Sequence, residues 1–192
     1  MARPREISDE QILETTRDLV LEHGAGVATG KIAKALGVSA AALFHRFKTK
    51  RALLLAAMLP KELGTLSMPV DDRPVAEQLA DFARVAMPLS DQMARTMVVF
   101  LHGPIPVEEF MRHTGGPPLV KLARPLMLWV MEMRMRGRIG SVDPEAFARG
   151  FIGALNMKTI ESRMMGQELS QGSIDTYLRN VVDLYARALR PD

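Results

Sequence analysis

Prolines and glycines cut this chain into stretches of helical length, and that punctuation constrains its fold more than any other feature. Between the cuts, apolar residues recur every three or four positions, and no run of five or more alternates cleanly between apolar and polar. A period near 3.6 without a period of 2 predicts helices and no sheet. The first helix is expected over about Asp9 to Glu22, with Ser8 as N-cap, Gln11 as its capping-box partner and Gly24 as its end. Short helices follow over about Thr29–Leu36, Ser39–Arg46 and from Thr49 toward Met58, where Pro60 ends or kinks the last one. Gly64–Arg73 reads as a connection. Longer helices are predicted over about 74–87, 90–102, 117–137, 143–165 and 173–189, with Pro88 separating the first two and Pro125 marking a kink or a split. The expected fold is therefore all-α with about nine helices. It comprises a small N-terminal unit over residues 1–58 and a larger helical unit over 59–192.

Of the 192 residues, 47% are apolar, enough for a sizeable core. The chain has no cysteine, which excludes disulfides and thiolate metal sites and fits a reducing compartment. The opening MARPREISDE has no apolar stretch after its arginines, so no secretory signal is expected there. No segment reaches about 18 uninterrupted apolar residues, so no membrane span is expected either, and the cytoplasm is the predicted location.

The net charge of +3 matters less than where it sits. Residues 1–59 carry nine Lys and Arg against six Asp and Glu, whereas residues 60–192 carry sixteen of each. No acid occurs between Glu22 and Glu62, a gap that holds Lys31, Lys34, Arg46, Lys48, Lys50, Arg51 and Lys61. Two readings are open: a solvated basic surface, or a surface for an anionic partner such as a phosphate backbone.

The stretch Thr29–Phe47 has the logic of a helix-turn-helix. Two short helices that cross steeply need a small residue at the crossing, and Ala33 supplies it. The sharp turn needs positive φ, which Gly37 tolerates. Ile32, Leu36, Val38, Leu43 and Phe47 are placed to hold the unit to the first helix.

TGKIAKALGVSAAALFHRFKTKRALL resembles the DNA-binding unit of the TetR family of bacterial regulators. The residues that carry the resemblance are Thr29, Ile32, Ala33, Gly37, Val38, Ser39, Leu43, Phe44, Phe47, Lys50 and Leu53, within about residues 8–58. The resemblance implies that the third helix enters the major groove of double-stranded DNA and that the fourth meets phosphates at its start. Thr29 and Lys50 then stand at phosphate-contacting positions. Phe44 stands where the family usually has Tyr, and it lacks the hydroxyl. Arg46 stands where the family often has His, and it would reach the backbone or a guanine edge. Ala40, Ala41 and Ala42 fall where base edges are usually addressed, leaving Ser39, His45 and Arg46 as the polar readers, with Lys31 and Gly30 from the second helix. Alanine can only pack against a thymine methyl, so few base hydrogen bonds and much phosphate contact are expected. The alternative for the three alanines is helix propensity at surface sites.

Eleven of the fourteen methionines lie between Met87 and Met165. Such a stripe is either core filler or the wall of an adaptable apolar pocket. The resemblance implies a small apolar effector held in the larger unit, for which Met97, Met127, Trp129, Met131 and Asn156 are the candidate lining residues. Ala146, Gly150, Gly153 and Ala154 form a strip of small residues, and Ile174, Leu178, Val181, Tyr185 and Ala188 form a face on the last helix. These suit either packing within the chain or a four-helix homodimer interface, as in the family, which would fit a palindromic operator. No catalytic motif is present, so no enzyme activity is expected, and neither is a cofactor. Glu109 and His113 at i, i+4, with His102, could hold a metal, but a surface ion pair is the reading preferred, and no metal site is expected. The expected function is a sequence-specific transcriptional regulator, read as a ligand-released repressor, with an activator or a regulator without effector as the alternative. An enzyme or a scaffold carrying a basic module are the remaining rivals.

Overall fold

The computed structural model describes residues 7–59, 62–101, 103, 105–167 and 170–191. Among these are ten α-helices and no strand. They are α1 (Asp9–His23), α2 (Thr29–Leu36), α3 (Ala40–Phe47), α4 (Lys50–Ala57), α5 (Glu62–Thr65), α6 (Val75–Leu101), α7 (Val107–His113), α8 (Pro118–Met135), α9 (Pro144–Met164) and α10 (Gln171–Ala188). The chain divides into two compact units. The first takes in Met1–Pro60 and Arg95–Gly115, and the second Lys61–Ala94 and Gly116–Asp192. The first unit thus ends two residues beyond the boundary expected at 58 and also contains the end of α6 and all of α7. Pro60 lies outside the described residues.

Local chemistry sets the ends of the short helices. The Gln11 amide donates to Ser8 Oγ at 3.2 Å and the Ser8 amide donates to Gln11 Oε1 at 3.1 Å, which closes the capping box of α1. Ser39 Oγ accepts from the Ala42 amide and Thr49 Oγ1 from the Ala52 amide, starting α3 and α4. At the other end of α4, Arg17 on α1 donates to the carbonyls of Ala57 and Leu59, which the helix itself leaves unpaired. Ile12, Val20, Ile32, Leu43, Leu53 and Met58 form the apolar centre of this unit, joined by Phe100 and Phe110. The two phenylalanine rings stack at 4.3 Å and hold α7 to the end of α6.

Two expectations fail here. Pro88 does not divide two helices, because α6 runs through it as one helix of 27 residues. The missing N–H and the clash with the preceding turn cost about 3 kcal/mol in a helix interior. Burial offsets this: Phe82, Ala83, Ala86, Met87, Leu89 and Met93 are all buried, while Pro88 faces outward. Likewise α8 is a single helix through Pro125. The second correction is α5 and α7, helices in segments where none is predicted, the former reaching into the expected connection at Gly64.

In the second unit, α8 and α9 pack together, and α10 lies on α9 through Tyr185, whose ring meets Phe147 and Phe151 edge-on at 5.2 and 5.1 Å. Arg163 on α9 pairs with Asp91 on α6. Arg138 donates to the carbonyls of Asp71, Asp72 and Arg73, and Gln78 Nε2 donates to those of Asp71 and Arg73. Two side chains thereby secure an irregular loop whose carbonyls have no helical partner. No helix among the described residues is long and apolar enough to cross a membrane.

Candidate nucleic-acid interface

The first unit builds a rigid support under one exposed helix. Gly37 takes φ +68°, and the Val38 amide donates to the Ala33 carbonyl at 3.0 Å, so the chain reverses direction in one residue. A Cβ at Gly37 would meet nothing within 4 Å, which makes the requirement one of backbone conformation and not of space. Ala33 is buried at the turn between α2 and α3, and Ile32 and Leu43 beside it are fully buried.

With Leu43 turned inward, α3 presents Ala41, Ala42, Phe44, His45 and Arg46 outward. Ala40 is half-buried and packs against the core, so two of the three alanines are exposed and the third is a supporting contact. Ser39 caps the helix and is itself exposed. Phe44 is exposed over 37% of its surface, an apolar ring offered to the outside. Thr29 and Gly30 open α2, whose N-cap position is Ala28 and has no side-chain acceptor. The leading amides of that helix are therefore oriented for an anion.

The cations divide into two groups. Arg46 is tied down: its guanidinium donates to the Ile7 carbonyl and forms an ion pair with Asp9 at 3.0 Å. Lys31 Nζ lies 2.6 Å from His23 Nε2, and Lys50 Nζ donates to the Gly26 carbonyl at 3.3 Å. Arg51 pairs with Glu109 of α7. Lys34 and Lys48, by contrast, are exposed and have no partner among the described residues. Lys48 is also the one non-glycine described residue with positive φ, +60°, where it ends α3. It was not among the expected contact residues. The FKTK spacing, which sets it two residues before Lys50, was the available signal.

Glu109 pairs with Arg51 and not with His113; His102 lies outside the described residues. No group of three metal-ligating side chains occurs among the described residues.

The five expected effector-lining residues lie in different surroundings. Met97 belongs to the first unit and packs against its core. Trp129 is buried in the second unit, its indole donating to Gln78 Oε1 at 2.9 Å. Met127 is half-buried and Met131 is exposed. Asn156 borders a cavity of about 170 Å3 with Leu119, Val120, Ala123 and Ile152, and its Oδ1 is buried without a hydrogen-bond partner. Along α9, Gly150 and Ala154 serve α10 of the same chain. A Cβ at Gly150 would lie 2.9 Å from the Tyr185 hydroxyl, and Tyr177 donates to the Ala154 carbonyl at 2.8 Å. Ala146, Gly153, Met157 and Leu184 remain exposed.

Residues 12–57 match the family described as bacterial regulatory proteins, tetR family. No curated protein sequence matches the chain. Among solved structures, the flavonoid-responsive regulator FrrA is 22% identical, with 95% of this chain and 97% of that one covered and a TM-score of 0.67. The regulator FadR from Bacillus subtilis, in complex with stearoyl-CoA, is 17% identical over 95% and 100% of the two chains, with a TM-score of 0.72. A Saccharomonospora viridis protein in complex with choline is 16% identical over 94% and 96%, with a TM-score of 0.67.

Proposed function

We propose that this chain, a member of the TetR family of bacterial regulatory proteins by its residues 12–57, works as a homodimeric repressor that a small molecule releases from DNA. One observation carries the reading: an acid-free helix-turn-helix holds Ala41, Ala42, Phe44 and His45 outward on a well-packed core. In this reading α3 enters the major groove, where Ala41, Ala42 and Phe44 pack against base edges and thymine methyls, and Ser39 and His45 supply hydrogen bonds. Ala40 supports the helix from behind. Thr29, Gly30, Lys31, Lys48 and Lys50 address phosphates. Arg46 acts first by pinning α3 to the start of α1 and reaches the backbone from there. With so few donors on the reading face, DNA shape contributes to specificity.

Two reading heads suit a palindromic site whose half-sites lie about 34–36 Å apart. The exposed Ala146, Gly153, Met157 and Leu184 on α9 and α10 are the surface assigned to the second copy. Solved structures of the same fold hold stearoyl-CoA and choline, which supports a small-molecule effector in the second unit. Release requires that the effector bind the DNA-free conformation more tightly than the bound one.

The test is selection of bound fragments from a random duplex pool at about 0.15 M salt, where nonspecific binding is weak. A palindromic sequence should emerge, with a stoichiometry of two chains per site. Equal binding to all duplexes would overturn the reading.

A further inference from the structure

Along α8, Lys121, Arg124, Pro125 and Leu128 fall at i, i+3, i+4 and i+7, which is one stripe of a helix. They form one wall of a groove of about 520 Å3 in the second unit. The other wall is the segment 63–69 at and beyond the end of α5, with Leu66 and Met68 as its main apolar contributions. Leu63 beneath it is buried, and Leu128 is half exposed. A volume of this size is within the range of about 300–1,000 Å3 typical of small-molecule sites.

The charge of the groove is one-sided. Among the described residues that line it, the ionisable ones are Lys121 and Arg124, with no carboxylate. Elsewhere in the unit, Arg73, Arg84, Arg136, Arg149 and Arg163 are each paired with an aspartate or glutamate, while Arg134, Arg179, Arg187 and Arg190 have no carboxylate partner among the described residues and do not line this groove. Arg124 is exposed and has no such partner among the described residues. A guanidinium left unpaired above an apolar floor matches a ligand with one anionic end and one apolar end.

We infer that this groove binds an amphipathic organic anion, its carboxylate on Arg124 and its apolar body along Leu66, Met68, Pro125 and Leu128. The inference deepens the effector reading above and rests on it only for what binding does to DNA. It also changes the ligand class expected from the methionine-rich sequence: a purely apolar molecule would leave Arg124 unanswered.

The experiment is calorimetric titration of the full chain, without DNA, with decanoate and decyltrimethylammonium below their micellar concentrations and 1-decanol below its solubility limit. Decanoate should bind at least about tenfold more tightly than the cation of the same chain length, the difference of a charge-assisted contact. Arg124→Gln should weaken decanoate about tenfold and leave decanol unchanged. Leu128→Asp should weaken decanol as well, since it alters the floor. Circular dichroism checks that both variants are folded. Equal affinity for the three ligands, no decanoate binding, or wild-type decanoate affinity in Arg124→Gln would each overturn the inference. These titrations contain no DNA, so their failure leaves the DNA reading standing, and failure of the DNA selection leaves them interpretable.

Discussion

The Trp129 indole donates to Gln78 Oε1 at 2.9 Å, joining α8 to α6 where both side chains are almost completely buried. The same Gln78 amide holds the carbonyls of Asp71 and Arg73. One side chain therefore satisfies three buried or part-buried polar groups.

Gln78→Leu should be markedly destabilising. It leaves the buried indole N–H without its acceptor, at a cost of about 1–3 kcal/mol, while Arg138 still donates to the two carbonyls. Trp129 is the only tryptophan, so its emission during urea unfolding reports on this unit directly. A midpoint equal to the parent's would show that the network contributes nothing.

Gly37 offers a cleaner separation of cause. The space around its absent Cβ is open, yet its φ is +68°. Gly37→Val should cost roughly 2 kcal/mol through strain alone, and Gly37→Asn, which tolerates that region, should be much milder. Denaturant midpoints of the two variants decide this. Equal losses in both would point to packing instead.

Lys48 and Lys50 differ in their partners but share a predicted role. Lys48→Ala and Lys50→Ala should each weaken binding to all duplexes alike and reduce the salt slope by about one. Lys50 also gives up its bond to the Gly26 carbonyl, an exposed contact whose loss should leave the thermal midpoint nearly unchanged. A changed sequence preference with an unchanged slope would reassign either lysine to base reading.

Both tyrosines of the chain lie on α10. Burial raises the pKa of Tyr185 above the usual 10.0, and burial followed by the neighbouring Tyr185 and Glu161 raises that of Tyr177. The folded state thus favours the neutral phenols. The unfolded chain loses these protons first, from about pH 10, so stability is full below that pH and falls as the pH climbs above it. Absorbance titration near 295 nm should show both phenols ionising later in the folded protein than after denaturation. Coincident titration curves would count against the packing of α10 on α9.

What the sequence revealed follows the range of the forces involved. The caps at Ser8, Ser39 and Thr49 and the turn at Gly37 act over three or four residues, and all four stand where their residue types place them. Pro88 misled because its local cost is outweighed by the burial of Phe82, Met87 and Met93, a term that depends on partners distant in sequence. The helix α7 was hidden for a similar reason, since it is held by Phe110 against Phe100 and by Glu109 against Arg51 across 58 residues. The Arg46–Asp9 pair spans 37 residues, and no local pattern announces it. The methionine stripe left core filler and pocket wall both open, and its members are divided between two units and between core and surface.

Ala41 and Ala42 hold nothing up. Their neighbour Leu43 supplies the anchorage, Ser39 supplies the cap, and Gly37 sets the angle. A longer polar side chain at either position would cost a few tenths of a kcal/mol in helix propensity and disturb no internal contact. The surface proposed for base reading is thus uncoupled from the framework that displays it. In the proposed reading, a lineage, or an engineer, can rewrite the operator preference of such a head one letter at a time without first having to restabilise the protein.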